Sequence, residues 1–577
     1  MKCDVAIIGG GPAGSTVATL LKRYRPTLDV VVIEREKFPR DHVGESHLPA
    51  ISEILAEMGV WDKIEAANFP IKIGATYRWG RTDQLWDFEF LAGEDFIDEP
   101  RPGKFVGQRR ALAFQVDRSI YDKILLDHAR EIGCRVLEST AVRAIQRDGD
   151  RITGLQVQDW PAQGTSGEPE RLEARYYVDC SGEAGIIRKA MGVEVDSPTK
   201  LRNIAIWDYY QDATWAVTLG SGGTRIQIMS LGWGWIWFIP ISTTRTSVGL
   251  VVPAEYFKST GLSTEEIFLK AIAEEPLISS LLRDARRENA LQATKDWSFV
   301  AQRLTGENWL LAGDSCGFAD PILSAGMTLA HTAGRRAAYT ILELERGRHP
   351  DSWLKEQYDT WQRRQIQHHI RFADYWYSAN GLFTDLQEYC SEIAADAGLK
   401  LNADEAFRWL ATGGFTTETP GRARALTYSV GGVKFIAQLF SGEPVTWKIA
   451  QNNRLRLNTQ GAERQQIVHL QDGKIESIPC LIRGDKLLPV QGMFAVVLKV
   501  LETTSDAERV IQGCLEAMRL NGGTNIKAGY LMFMEVIETM IHDGWIEADY
   551  NPKRPLMRME TPEEMRTMHP NKDNVRV

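Results

Sequence analysis

Residues 9–14 read GGGPAG and follow the short run DVAII at 4–8. Apolar positions at helical spacing come next, from Ser15 to Arg23. A second apolar run, Val30–Ile33, ends at Glu34. Strand, glycine turn, helix, strand and acidic residue is the context in which G-x-G-x-x-G predicts a dinucleotide site. Gly9 permits the tight turn, Gly11 lets backbone approach a pyrophosphate, and Gly14 lets the helix close on the sheet. Glu34 is placed to accept hydrogen bonds from a ribose, and the helix N-terminus lends partial positive charge to phosphates. The plain alternative is a glycine-rich βα turn with no ligand.

Three further segments hold candidate chemistry. In FPIKIGATYRWG at 69–80, alternation puts Ile71, Ile73 and Ala75 on one side of a half-buried strand and Lys72 on the other. A strand lysine is ordinarily solvent-facing. In GWGWIWFIPI at 232–241, Trp233, Trp235, Trp237 and Ile239 alternate with Gly234, Ile236 and Phe238, and Pro240 stops the run. By alternation the three tryptophans share a face, and the plain reading is a core strand. Ser324-Ala325-Gly326 opens a helix after Gly313-Asp314, and backbone N–H groups at a helix start bind anions. An ordinary cap from Ser324 would coexist with that.

These segments need a scaffold. At 577 residues, 44% hydrophobic and 25% charged, the chain reads as an ordinary globular protein. A divisor of roughly 150 residues per domain gives about three to four units, which large α/β enzymes often merge. The net charge of −9 argues against a nucleic-acid partner, which would need a basic face. Seven cysteines (Cys3, Cys134, Cys180, Cys316, Cys390, Cys480, Cys514) lack any C-x-x-C spacing, so reduced thiols and no metal site are expected. The start lacks the pattern of a signal peptide, and no apolar run reaches the ~20 residues of a membrane span. A cytoplasmic location follows as an expectation.

Residues 116–130, VDRSIYDKILLDHAR, form an amphipathic helix opened by Asp117 and Arg118. Residues 309–326, WLLAGDSCGFADPILSAG, give a strand, Gly313-Asp314, a loop and a helix start. Here the chain resembles the FAD-dependent monooxygenase superfamily. Tyr177-Val178-Asp179-Cys180-Ser181-Gly182 is similar to the strand and turn that close its FAD domain. The segment Phe38-Pro39-Arg40 through Gly44-Glu45-Ser46 is similar to a loop lining the flavin. The resemblance implies FAD contacts from Gly9, Gly11, Ala13, Gly14, Glu34, Arg40, Gly44, Glu45, Ser46, Arg118, Asp314 and Gly326. There is no second glycine-turn unit for a nicotinamide. Gly220-Ser221-Gly222-Gly223 is more simply a hairpin loop, so a separate flavin reductase is expected.

Trp235-Ile236-Trp237-Phe238-Ile239-Pro240 is W-x-W-x-I-P, which resembles the signature of flavin-dependent halogenases. The resemblance implies that reduced FAD, dioxygen and chloride or bromide yield hypohalous acid. Trp235, Trp237 and Pro240 would form a wall keeping the organic substrate from the flavin. Lys72 matches the family's essential lysine, which would relay the hypohalous acid. Enclosure disfavours an ammonium, so Lys72 is expected to act either as a hydrogen-bond donor or as a neutral amine. Ser324, Ala325 and Gly326 match the halide turn, with the amides of Ala325 and Gly326 as contacts. Halogenases of free tryptophan carry a glutamate where this chain has Leu323. That departure is similar to the branch acting on phenols, pyrroles and carrier-tethered aryl groups.

The expected fold is α/β. A Rossmann-type FAD-binding domain of the glutathione-reductase-like, aromatic-hydroxylase-like kind spans 1–365, with an inserted substrate sheet at about 70–110 and 195–300. A mostly helical region at 366–577, expected to cover the substrate entrance, resembles that of the chloramphenicol and chondrochloren halogenases. Helical patterns lie at 353–377 and near 383–397, 404–411, 494–519 and 526–543, with hairpin-like strands near 465–489. Adjacent His368 and His369 diverge by ~100° on a helix, which favours packing over a metal. The alternatives are an FAD-dependent aromatic hydroxylase or FAD reductase of the same fold, and a flavin-binding protein without catalysis.

Overall fold

The computed structural model describes residues 1–79, 85–91, 95–160, 168–296, 298–380, 424–425, 428–429, 434, 446–484, 486–520, 526–557 and 568–571. The chain divides into two compact units. The first comprises Met1–Ala397, Asp472–Lys474 and Pro570–Val577, and the second comprises Gly398–Gln471 and Ile475–His569. The boundary expected at 365/366 falls inside one continuous helix, Asp351–Asn380, so the first unit runs past it.

The first unit holds two large sheets. In one, Arg135–Leu137, Val30–Ile33, Lys2–Ile8, Glu170–Asp179 and Trp309–Leu311 lie parallel in that order. Arg151–Asp159 and Thr140–Asp148 extend it antiparallel. Every residue of Val30–Ile33 is buried, as a parallel strand covered on both faces requires. The helices Pro12–Tyr24 and Ala325–Arg346 belong to this half.

The second sheet is built mainly from strands within 71–89 and 203–253. Its spatial order is Asn203–Gln211, Arg245–Pro253, Gly234–Pro240, Gly223–Leu231, Ile71–Arg78 and Trp86–Glu89. Gly223–Leu231 and Ile71–Arg78 pair in parallel, and the other neighbours in that order pair antiparallel. A tight turn closed by a Leu219–Gly223 bridge feeds Gly223–Leu231.

Two expectations from alternation change here. Trp233 does not share a face with Trp235 and Trp237. Leu231 pairs with Gly234, so Gly232 and Trp233 form the hairpin turn. A turn residue is free of the strand's alternation. Trp233 joins Ile236, Phe238 and the helix Thr264–Glu274 on the opposite face. Its Nε1 donates to Glu274 at 2.8 Å and its ring stacks on Tyr256. The second change concerns Lys72.

The second unit packs the helices Gly492–Leu501, Ala507–Leu520 and Ile526–His542. Arg454–Leu457 pairs with Ile546–Asp549, and Glu463–Gln471, Lys474–Arg483 and Lys486–Pro489 form a small sheet. The helical pattern at 494–519 is thus two helices. Met534 and Met540 are fully buried, as core packing predicts. The patterns near 383–397 and 404–411 lie outside the described residues. Among the described residues, no helix is long and apolar enough to cross a membrane.

Candidate active site

The glycine turn is built as a phosphate cradle. Gly9 has φ +103°, and a Cβ there would stand 2.2 Å from the Cys180 carbonyl oxygen, so only glycine fits. Gly11 is the N-cap of Pro12–Tyr24 with no side-chain cap. The first-turn N–H groups beyond it are therefore open to an anion. Ala13 and Gly14 sit in that turn, and a Cβ on Gly313 would lie 3.0 Å from the Ala13 methyl. The Gly313-Asp314 turn thus rests on the dinucleotide helix. Glu34 is buried and accepts from Gly10 N at 2.7 Å and from Glu36 N at 2.8 Å. Arg40 reaches to 3.6 Å from where a Cβ on Gly11 would be. Its buried Nη1 has no protein partner. An orphaned guanidinium N–H above a glycine turn and an uncapped helix suits a diphosphate, so the residues present fit FAD. Burial raises Asp314 to about 6, against the pull of Arg118.

Arg118, expected at the cofactor, also organises the loop beside it. Its Nε and Nη2 bind the two oxygens of Asp122 at 2.7 and 2.9 Å. Its Nη1 donates to the carbonyls of Val43 and Gly44 at 3.0 and 3.1 Å. It pins the Gly44–Ser46 loop. That loop then runs against Phe114–Val116, through His47 N to Phe114 O at 3.0 Å and Val116 N to Glu45 O at 2.8 Å.

Lys72 is 2% exposed. The strand Ile71–Arg78 is not half-buried, because neighbours cover both its sides. Lys72 does not oppose Ala75 either. Lys72 pairs with Thr224 while Gly74 pairs with Arg225, so Ile73 is an extra residue in a β-bulge. Thr224, Ile226 and Ile228 alternate onto one side of their strand and pair with Lys72, Ala75 and Tyr77; Ile228 also pairs with Trp237. The bulge therefore turns Lys72 onto the side of the tryptophans, which is a recurrent use of bulges beside active sites. Gly74 makes room, since a Cβ there would lie 2.0 Å from the Phe88 carbonyl oxygen. Nζ donates to Ser46 Oγ at 2.7 Å and His47 O at 3.1 Å, and lies 5.4 Å from the centre of the Phe90 ring. Burial lowers its pKa to about 7.

Trp235 and Trp237 are buried, with ring centres 5.9 Å apart. Trp235 Nε1 donates to Tyr377 OH at 2.6 Å and Trp237 Nε1 to Ser247 Oγ at 3.1 Å. Both indoles are thereby fixed in orientation. Pro240 ends the strand; its ring has nothing to donate or titrate, so its part is conformational. Glu45, expected at the cofactor, lies by Ser247 and Tyr209. It is buried, its Oε1 lacks a partner, and burial raises it to about 7.

At the halide turn, Ser324 adopts φ +55° and makes no side-chain cap to Ala325–Arg346. The ordinary cap is absent, which leaves the amides of the first turn, Gly326 included, open to an anion. Ser324 Oγ instead donates to Ser46 Oγ at 3.1 Å. Lys72, Ser46 and Ser324 come from three distant stretches and meet in two hydrogen bonds. His368 and His369 are both buried, and burial holds His369 down at about 4. Among the described residues, no cluster of metal-ligating side chains exists.

A family model described as an FAD binding domain matches residues 2–373. The 1H-pyrrole-2-carbonyl-[peptidyl-carrier protein] chlorinase of Pseudomonas fluorescens is 30% identical over 396 residues, covering 66% of this chain and 85% of that protein. The tryptophan 2-halogenase of Chondromyces crocatus is 32% identical over 351 residues, 59% of this chain and 62% of that protein. The chain belongs to the flavin-dependent halogenases. The halogenase is an FAD-dependent enzyme that consumes halide and dioxygen, not a hydroxylase of the same fold. Its fold matches the flavin-dependent halogenase CmlS with TM-score 0.72 at 24% identity, covering 97% of this chain and 98% of that one. It also matches the myxobacterial chondrochloren halogenase CndH with TM-score 0.59 at 28% identity, covering 69% and 91%.

Sequence reasoning missed what holds the halogenase's lysine and indoles: His47, Tyr377 and Ser247. Each contact joins residues at least ten apart in sequence. The S-x-G after an aspartate turn was visible, but the Ser324–Ser46 bond had no sequence signal.

Proposed function

We propose that this halogenase transfers chlorine or bromine to an electron-rich aromatic, a phenol or a pyrrole, carried as an acyl group on a carrier protein. Lys72 guides the hypohalous acid. The observation that supports this is a buried amine, placed by a bulge on the tryptophan side of its sheet and tied to the start of Ala325–Arg346. When bound, reduced FAD supplies the electrons for making hypohalous acid from dioxygen and halide. The chain's own groups do the rest. The open amides at Ala325 and Gly326 hold the halide. The Trp235–Trp237 wall excludes an aryl ring by rigid bulk. Lys72, near neutrality at working pH, offers either N–H donors or a lone pair. Glu45 exchanges the proton that the ring loses as halogen enters. Hypohalous acid and an aromatic C–H thus give the aryl halide and water.

Leu323 in place of a carboxylate fits substrates activated by their own hydroxyl or ring nitrogen. A separate flavin reductase supplies reduced FAD, and the setting is cytoplasmic. The test incubates the protein with FAD, a flavin reductase, NADH and bromide. It offers phenols, indoles and pyrroles with and without a carrier protein and reads bromine isotope patterns by mass spectrometry. The expected result is brominated phenol or pyrrole on the carrier and no NADH oxidation without the reductase. Bromination confined to free indoles would reverse the substrate proposal.

A further inference from the structure

Ser46 belongs to the loop expected to line the flavin, and its side chain lies between Lys72 and Ser324. It is 6% exposed, and its Oγ accepts from Lys72 Nζ at 2.7 Å and from Ser324 Oγ at 3.1 Å. A serine oxygen has two lone pairs and one hydrogen. The two contacts fill the lone pairs and leave the hydrogen as a donor within the site. One atom therefore joins the relay amine to the residue that opens Ala325–Arg346.

The count at the amine has the same outcome. An ammonium has three N–H donors. Ser46 Oγ and His47 O take two, and the third direction remains. In the neutral amine the same two acceptors keep the two N–H groups, and the third direction becomes the lone pair. Both protonation states thus present Lys72 along one line. Neither anchor is a carboxylate, so the anchoring adds no charge that would repel a halide or hold the amine permanently protonated. The Ser46 backbone is itself fixed by an antiparallel bridge to Gln115.

We infer that Ser46 is a positioning residue: through a single oxygen it fixes the Lys72 amine relative to the Ser324 turn, so that hypohalous acid formed near the turn meets an amine already aimed. This rests on the proposed roles of Lys72 and of the halide turn.

The test compares Ser46→Ala, Ser46→Thr and Lys72→Ala. The acidity of Lys72 is read in the protein without flavin, by trace acetic anhydride labelling across pH with mass spectrometry of the Lys72 peptide. Loss of a hydrogen bond to the charged form makes the ammonium about tenfold more acidic in Ser46→Ala. With FAD, reductase and bromide, oxygen uptake continues, while the fraction captured as aryl bromide falls about tenfold or more, as misplacement of a reacting group implies. A chemical scavenger of hypobromous acid collects the difference. Ser46→Thr, which keeps the hydroxyl, restores most of both. Unchanged Lys72 acidity and coupling in Ser46→Ala, where Lys72→Ala abolishes halogenation, would overturn the inference alone. So would weaker FAD binding with Lys72 acidity untouched, which would return Ser46 to the cofactor. If Lys72→Ala still halogenates, the earlier reading fails instead.

Discussion

Two lysines of this chain are equally buried, at 2% exposure, and their surroundings differ in one respect. Lys434, in the second unit, lies 2.8 Å from Glu538 and also bonds His542 and the Thr446 carbonyl. Glu538 accepts from Lys448 N and Ile449 N as well, and is held down at about 2 even against its burial. That is a charged pair closing a core. Lys72, in the first unit, has a hydroxyl and a carbonyl for partners and drops to about 7. Without a carboxylate beside it, the buried Lys72 amine is lowered into the neutral range, whereas Lys434 sits in an ion pair that holds Glu538 low. The first environment suits chemistry and the second suits structure.

The contrast breaks most visibly by mutation. Lys72→Met should lower halogenation about a hundredfold to ten-thousandfold, the range for a positioned acid–base group, while oxygen uptake persists. Because burying the unpaired amine costs stability at neutral pH, its urea midpoint should not fall. Lys434→Met should do the reverse. A stranded Glu538 costs about 3–5 kcal/mol, read as a lower denaturation midpoint, with halogenation per folded molecule unchanged. Glu45→Gln should cost about tenfold in rate and flatten the pH–rate profile near 7, where its carboxyl titrates.

A pH series sharpens the same comparison. The Lys72 pKa falls from 10.5 unfolded to about 7 folded. Between those values the unfolded chain binds more protons, so stability rises with pH, by at most about 1.4 kcal/mol per unit. Lys72→Met should lose that slope. Glu538 behaves oppositely at the acid end: its contribution is present above about 4.5 and is lost as pH falls toward 2. The smallest effect belongs to Trp233→Phe. That indole faces the helix Thr264–Glu274, so about 1 kcal/mol of stability and no halogenation should be lost. Loss of halogenation there would contradict the assignment of faces.

Much of this was legible without coordinates. The glycine turn, the Gly313-Asp314 turn and the Trp235–Pro240 strand are local patterns, and each formed as its spacing requires. The helix Arg118–Glu131, capped by Asp117 through Ser119 N at 2.9 Å, also followed from local sequence. Alternation failed at two places, and both are irregularities. Trp233 sits in a turn, and Ile73 is an extra residue in a bulge. Neither interruption has a sequence signature as firm as the period it breaks.

Local sequence alone determined the glycine turn and the strand bearing the indoles, because backbone conformation and side-chain period are set by near neighbours. The direction of Lys72, its neutral-range acidity and its link through Ser46 to Ser324 were decided only in three dimensions. They depend on strand register, on exclusion of water and on contacts between residues up to 278 apart. None of those quantities exists until the sheet and the helix are packed together.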